Sequence, residues 1–226
     1  SFVGIPVLSI AFNDHLGWTH TVNMTAPVTH YELTKEEEGY RFDGEVRAFQ
    51  ERVDTIRVLT EADTLRHEVQ LTRISIHGPV IAERENAAVA MRAVGFDQPQ
   101  VLEQWWDMAQ ARDLEEFETA LMRQQIPMFT VLYADRDGHI MHHFGGLVPV
   151  RSEGDFSEWF FQVKSGDTSR TRWTEFHPYE DLPRVVDPPA GWLQNTNDPP
   201  WTTTYPSTLD PGDFPSYMSS PPLFFP

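Results

Sequence analysis

The sequence predicts an α+β fold, mostly antiparallel strands with a helical insertion near residues 98–125. Three observations carry this. Residues 1–95 hold repeated alternating or β-branched runs separated by turn dipeptides. Residues 98–125 switch to apolar residues at helical spacing. Residues 126–150 return to a strand–turn–strand pattern.

In the first stretch, residues 7–12 form a short apolar run and residues 18–23 are rich in β-branched and aromatic side chains. Residues 28–33 alternate, and 53–59 and 65–75 are longer alternating strands. Asn13-Asp14 and Glu38-Gly39 are turn signals, and Asp43-Gly44 is a hairpin dipeptide. In the second stretch, Pro99 fits a first helical turn, and Val101, Leu102, Trp105, Trp106 and Met108 follow on one face. Asp113 reads as an N-cap with Glu116 completing a capping box, so a second helix follows a short connection. In the third, residues 128–134 and 139–144 flank the turn Asp135-Arg136-Asp137-Gly138. Residues 151–176 are polar and irregular.

Twelve of the 18 prolines fall in residues 178–226, which excludes regular helix or central strand over most of that segment. It also carries Trp192, Trp201, Tyr205, Phe214 and Tyr217, too many aromatics for a solvated tail. It reads as an extended segment wrapped over a larger body.

Composition narrows the function classes. The formal net charge is −17, from 34 acidic and 17 basic residues, which argues against nucleic acid and anionic membrane surfaces as partners. There is no cysteine, so disulfides, thiolate zinc sites and thiol catalysis are excluded. No apolar run reaches membrane-spanning length. The start Ser1-Phe2-Val3-Gly4-Ile5-Pro6 has neither Met nor a basic n-region, so the expectation is a piece of a longer protein with no signal peptide in these residues.

Two motifs carry chemistry. The first is Phe12-Asn13-Asp14-His15-Leu16-Gly17-Trp18-Thr19-His20-Thr21-Val22-Asn23, a turn leading into a strand with His20 inside it. Its plain reading is a hairpin with a hydrogen-bonded histidine. The second is Gly191-Trp192-Leu193-Gln194-Asn195-Thr196-Asn197-Asp198-Pro199-Pro200. Its two asparagines build a turn on the plain reading, or donate to a developing oxyanion from a dry site.

In this order and at this separation the motifs resemble those of the penicillin acylase family of N-terminal-nucleophile hydrolases, and within it the acyl-homoserine-lactone and aculeacin acylase branch. Gly4-Ile5-Pro6-Val7-Leu8-Ser9-Ile10-Ala11-Phe12 and Leu16-Gly17-Trp18-Thr19-His20-Thr21-Val22 look like the strand pair before the first oxyanion donor. Leu193-Gln194-Asn195-Thr196-Asn197-Asp198 looks like the second-donor motif. Ile76-His77-Gly78-Pro79-Val80, Val101-Leu102-Glu103-Gln104-Trp105 and Gln125-Ile126-Pro127-Met128 fall where the family has similar stretches.

The resemblance implies a four-layer αββα fold, of which residues 1–226 are one segment of a large-subunit domain. The nucleophile strand would lie upstream and the C-terminal part would be missing. It implies an amidohydrolase whose N-terminal serine acts as nucleophile and whose α-amine acts as base. The substrate would be an N-acyl-homoserine lactone, a lipopeptide or a β-lactam side chain. Autocatalytic processing, periplasmic or secreted localisation and quorum quenching come with it. So do partners, namely a small subunit and the remainder of the large one. Carried over by residue, the oxyanion hole is the backbone N–H of Val22 and the side chain of Asn197. Phe2, Ile5, Ile10, Trp105 and Met128 match acyl-pocket positions, although a core reading competes for Ile10 and Met128.

Ser1 is not expected to be the nucleophile, because the residues after it match a region tens of residues downstream of the family's serine. His20 is expected to be structural. The family's calcium aspartates have no counterpart in Met24-Thr25-Ala26-Pro27-Val28-Thr29, so no metal is expected there, and no cofactor. His139-Ile140-Met141-His142-His143 reads as surface histidines, with His139 and His143 on one strand face and His142 on the other. Glu115, Glu116 and Glu118 read as a polar helix face. The alternative class is a non-catalytic segment or pseudo-enzyme that binds or scaffolds. By itself the fragment is expected to be inactive.

Overall fold

A computed structural model describes residues 4–37, 39–61 and 63–221. In chain order the strands are β1 (Ala11–Phe12), β2 (Leu16–Thr21), β3 (Val28–Glu36), β4 (Gly39–Phe42), β5 (Glu45–Arg47), β6 (Gln50–Leu59), β7 (Leu65–Ser75), β8 (Gly78–Glu83) and β9 (Ala87–Ala93). Two helices follow, α1 (Val101–Gln110) and α2 (Leu114–Leu121). Then come β10 (Met128–Asp135), β11 (Ile140–Gly146), the helix α3 (Phe156–Phe161), β12 (Lys164–Ser165) and β13 (Arg184–Val186). The class is α+β. Glu38 lies outside the described residues, so the first half of the Glu38-Gly39 turn does too, as do residues 222–226 of the proline-rich segment.

The chain divides into two compact units. The first comprises residues 1–27, 93–161 and 173–226. Its sheet has the order β1-β2-β10-β11-β13, and every neighbouring pair is antiparallel. The Asp135-Arg136-Asp137-Gly138 turn joins β10 to β11 as the sequence predicts, in a register from Met128↔Gly146 to Ala134↔Ile140. Alternation gives the sheet two faces. Leu16, Trp18, Val131, Tyr133 and Met141 point to the face covered by α1 and α2, where Trp105, Met108, Phe117 and Leu121 complete one core. Phe117 is wholly buried between Trp18 and Tyr133, a burial that contributes about 1.5–3 kcal/mol.

The helices start and stop for local reasons. Asp113 accepts the Glu116 N–H at 2.8 Å, the N-cap expected. The reciprocal arm of the capping box differs. The Glu116 carboxylate reaches past the cap to the Arg112 N–H at 3.0 Å and also holds the Arg112 guanidinium. Pro99 precedes the helix rather than sitting in its first turn, since Gln100 is the N-cap of α1. Asn13 ties the connection to β2: its Nδ2 donates to the carbonyls of Ala109 and Ala111, while its Oδ1 accepts from the His15 and Leu16 N–H groups. Glu118 is not simply solvated. It accepts from the Tyr179 hydroxyl at 2.8 Å and from Arg184, which anchors the later chain to α2.

Residues 151–176 are less irregular than their polarity predicts. Phe156 and Trp159, three apart, bury one face of α3, and the Trp159 Nε1–H donates to the Glu153 carbonyl at 2.8 Å. A helix this short leaves too few apolar repeats for periodicity to register. Residues 178–221 run through β13 and three short 3-10 turns, with Tyr179, Leu182, Tyr217 and Met218 buried, while Trp192 and Tyr205 are exposed.

The second unit comprises residues 28–92 and 162–172. Its strands follow the order β5-β4-β3-β9-β8-β7-β6, with β12 parallel to β3. Tyr31, Leu33, Tyr40, Phe42, Ala88 and Ala90 form its core. Asp43-Gly44 makes the predicted two-residue hairpin turn, both residues having positive φ (50° and 84°), the geometry such dipeptides supply. Gly78 is fixed by sterics: at φ 132° a Cβ would meet the Met91 carbonyl at 2.2 Å. His77 is fully buried, stacked on Tyr31 at 4.1 Å, and desolvation pushes its pKa down to about 4. β6 and β7 pair over ten residues from Gln50↔Ile74 to Leu59↔Leu65 and are almost wholly exposed.

Candidate active site

The site lies on the face of the first unit's sheet opposite α1 and α2. Thr19 and Thr21 on β2, Thr130 and Leu132 on β10 and His142 on β11 share that face, because Thr21 pairs with Thr130 and Thr19 with Leu132, which pairs with His142. The two sequence motifs meet here. The Thr21 hydroxyl donates to Asn195 Oδ1 across 174 residues of chain. The same oxygen accepts the Asn197 N–H at 2.9 Å, closing an Asx-type turn over Asn195-Thr196-Asn197. Asn195 Nδ2 lies 3.3 Å from the Asp198 carbonyl and 3.5 Å from His142 Nε2. The Thr196 hydroxyl bonds the carboxylate of buried Asp198. Gln194 holds the segment from the other side, exchanging bonds of 2.7–2.8 Å with Thr202 and Thr203.

These bonds hold residues 195–197 beside the end of β2, next to both expected donors. Val22 follows the last residue of β2 and is 49% exposed. Its neighbour Asn23 is buried and donates to the Gly145 carbonyl, fixing the chain just beyond the strand. Asn197 is exposed with φ 67°, a left-handed conformation that asparagine tolerates better than most residues. Among the described residues, no hydrogen bond is made by the Val22 N–H or the Asn197 side-chain amide.

The expected acyl-pocket residues are dispersed. Phe2 lies outside the described residues, as does Ser1. Ile5 and Met128 are half-buried, and Ile10 is 57% exposed. Trp105 is buried in the helix-side core, where its indole N–H donates to His20 Nε2 at 3.0 Å. None of these four lines the apolar hollow of about 540 Å³ beside the site, which Gly17, Thr19, Leu132, Ile140, Trp192 and Leu193 bound.

The inner histidines have physical assignments. His20 accepts from Trp105, so its Nε2 carries a lone pair, and desolvation pushes its pKa down to about 4. His142 and His143 are not on the surface as their polarity suggests: both are buried, because β11 is flanked by β10 and β13 and covered on each face. Desolvation pushes them down to about 4 and about 3. Of the His139–His143 cluster only His139 is exposed, paired with Asp187 at 2.6 Å, whose hydrogen bond raises its pKa. Among the described residues, no three His, Asp or Glu side chains gather as a metal site would require, and no helix is long and apolar enough to cross a membrane.

The sequence pointed to Thr21 only as part of its motif and to Asn195 only as one of two asparagines, without the bond between them. The available signal was the i, i+2 spacing of Asn195 and Asn197, which is that of an Asx turn.

The fold is that of part of an acylase. A thermostable penicillin G acylase from Alcaligenes faecalis superposes with a TM-score of 0.77 at 22% identity, covering 94% of this chain and 38% of that one. The penicillin amidase family model matches residues 1–220, and the chain belongs to that family. Curated relatives agree. The acyl-homoserine lactone acylase PvdQ of Pseudomonas syringae pv. tomato is 29% identical over 65% of this chain. That of Pseudomonas putida is 25% identical over 88% of it. The chain spans 20% and 29% of the length of these two relatives.

Proposed function

We propose that this chain is the oxyanion-hole segment of an amidohydrolase that removes an acyl group from a small amide. The Val22 N–H and the Asn197 side-chain amide would donate to the oxygen that becomes negative when a nucleophile adds to the amide carbon. The nucleophile would be an N-terminal serine outside this segment, deprotonated by its own α-amine, which then protonates the leaving amine. The substrate class is an N-acyl-homoserine lactone, a lipopeptide or a β-lactam side chain, the first favoured by the likeness to acyl-homoserine lactone acylases. A small subunit and further large-subunit residues would complete the site, in the periplasm or outside the cell.

The hydrogen bond from Thr21 to Asn195 carries this reading. It joins the two motifs, with Val22 and Asn197 both exposed beside it. The test replaces Asn197 in the protein that carries this chain. Asn197→Ala would confound lost donation with an alanine forced to positive φ. Asn197→Gly keeps the backbone and removes the amide. It should lower kcat about 10²- to 10³-fold with the thermal midpoint unchanged. Undiminished hydrolysis of an N-acyl-homoserine lactone or penicillin G by Asn197→Gly would refute the assignment.

A further inference from the structure

Two donors act on one oxygen only if their separation is fixed. Here one donor follows the end of a strand and the other sits in an irregular proline-bounded turn. Backbone pairing does not join those segments. Among the described residues, β2 pairs with β1 and β10, and the backbone bond that holds the 194–203 loop closes within the loop.

We infer that Asn195 and Thr21 are positioning residues: the Asn195 amide clamps the Asn197 turn onto the end of β2, with His142 as a further anchor. This rests on the amidohydrolase reading. The side chain of Asn195 is used on both sides. Its oxygen accepts from the Thr21 hydroxyl and from the Asn197 N–H at 2.9 Å. Its nitrogen faces the Asp198 carbonyl at 3.3 Å and His142 Nε2 at 3.5 Å. Few side chains meet this demand. Aspartate offers no donor, and glutamine is one methylene too long for the Asx turn. His142 suits its place because it is fully buried on β11 and presents a ring nitrogen rather than a mobile chain. Thr21 shares the register row of Thr130, so the clamp bears on the sheet itself.

The consequence is specific. Val22 contributes a backbone group and cannot adjust, so any drift of the Asn197 turn opens the gap between the donors. Misplacement of about 1 Å at such a site lowers rates by up to about 10²-fold. Substrate affinity has no reason to follow.

The test uses the protein carrying this chain, with an N-acyl-homoserine lactone and penicillin G as probes. Thr21→Val is nearly isosteric and removes the donor. It should lower kcat about 10- to 100-fold with KM within about twofold, and Thr21→Ser should recover most of the loss. Asn195→Ala should behave like Thr21→Val. In an Asn197→Gly background, Thr21→Val should cost nothing more, because no donor remains to be positioned. A purely structural role would multiply the two losses instead. If Asn197→Gly is costly but Thr21→Val is neutral or fully multiplicative, the clamp is wrong and the amidohydrolase reading stands. If Asn197→Gly is neutral, or neither probe is hydrolysed, both fall. Should Asn195→Ala fail to fold, the Thr21 pair decides alone.

Discussion

At the scale of single residues, Asn197 shows why a turn role and the proposed oxyanion role need not compete. Its left-handed φ suits the turn, and the residue itself is exposed. Val22 is the complementary case, because the role proposed for it belongs to its backbone N–H and not to its side chain. Val22→Ala should therefore hold kcat/KM within about threefold while Asn197→Gly does not, as steady-state kinetics on one amide substrate would show. Trp105 illustrates a residue whose chemistry the sequence hid. It matches a pocket position, yet its polar atom faces His20 and its ring lies in the core beneath the helices.

At the scale of elements, the helical insertion depends on its caps and on what it covers. Asp113 satisfies a first-turn N–H that would otherwise lack an intrahelical partner. Asp113→Ala should lower stability by about 1 kcal/mol, read as a lower urea midpoint at unchanged slope. The helices cover one face of the sheet and the asparagine turn approaches the other, so β2, β10 and β11 are shared by core and site. On β11 this division is visible residue by residue. His143 packs on Tyr179 with a centroid separation of 4.6 Å, whereas His142 faces Asn195. Alternation correctly separated these histidines onto opposite faces. It could not show that both faces are covered.

At the scale of the molecule, three buried histidines and the half-buried His20 shape the response to acid. His20, His77, His142 and His143 all have depressed pKa values in the fold, the first three to about 4 and His143 to about 3. The unfolded chain binds protons at these positions near pH 6.5, so their contribution to stability is complete above about pH 6.5 and is lost as pH falls toward 4. Each neutral histidine gives a slope of up to about 1.4 kcal/mol per pH unit in that window. His139 runs the other way, since Asp187 raises its pKa, but it is exposed and its effect is screened. Thermal midpoints measured from pH 7 to pH 5 should fall steeply, and His142→Gln should make the fall shallower.

The sequence by itself determined strand or helix for several of the longer runs, although it did not single out β8 or β9, and of the apolar run at residues 7–12 only Ala11–Phe12 is strand. The strand at Leu65–Ser75, the β10–β11 hairpin and the capped helix pair all follow from local spacing. So does the family, because its two motifs survive as contiguous strings. Tertiary structure alone decided the rest. The six-residue α3 is stabilised by what it buries rather than by a repeating pattern. The burial of His142 and His143 comes from neighbouring strands and loops distant in sequence. Above all, the Thr21–Asn195 clamp joins groups 174 residues apart. A pattern within one segment fixes that segment's own dihedral angles and faces. A hydrogen bond between distant segments exists only after the core between them has set their separation.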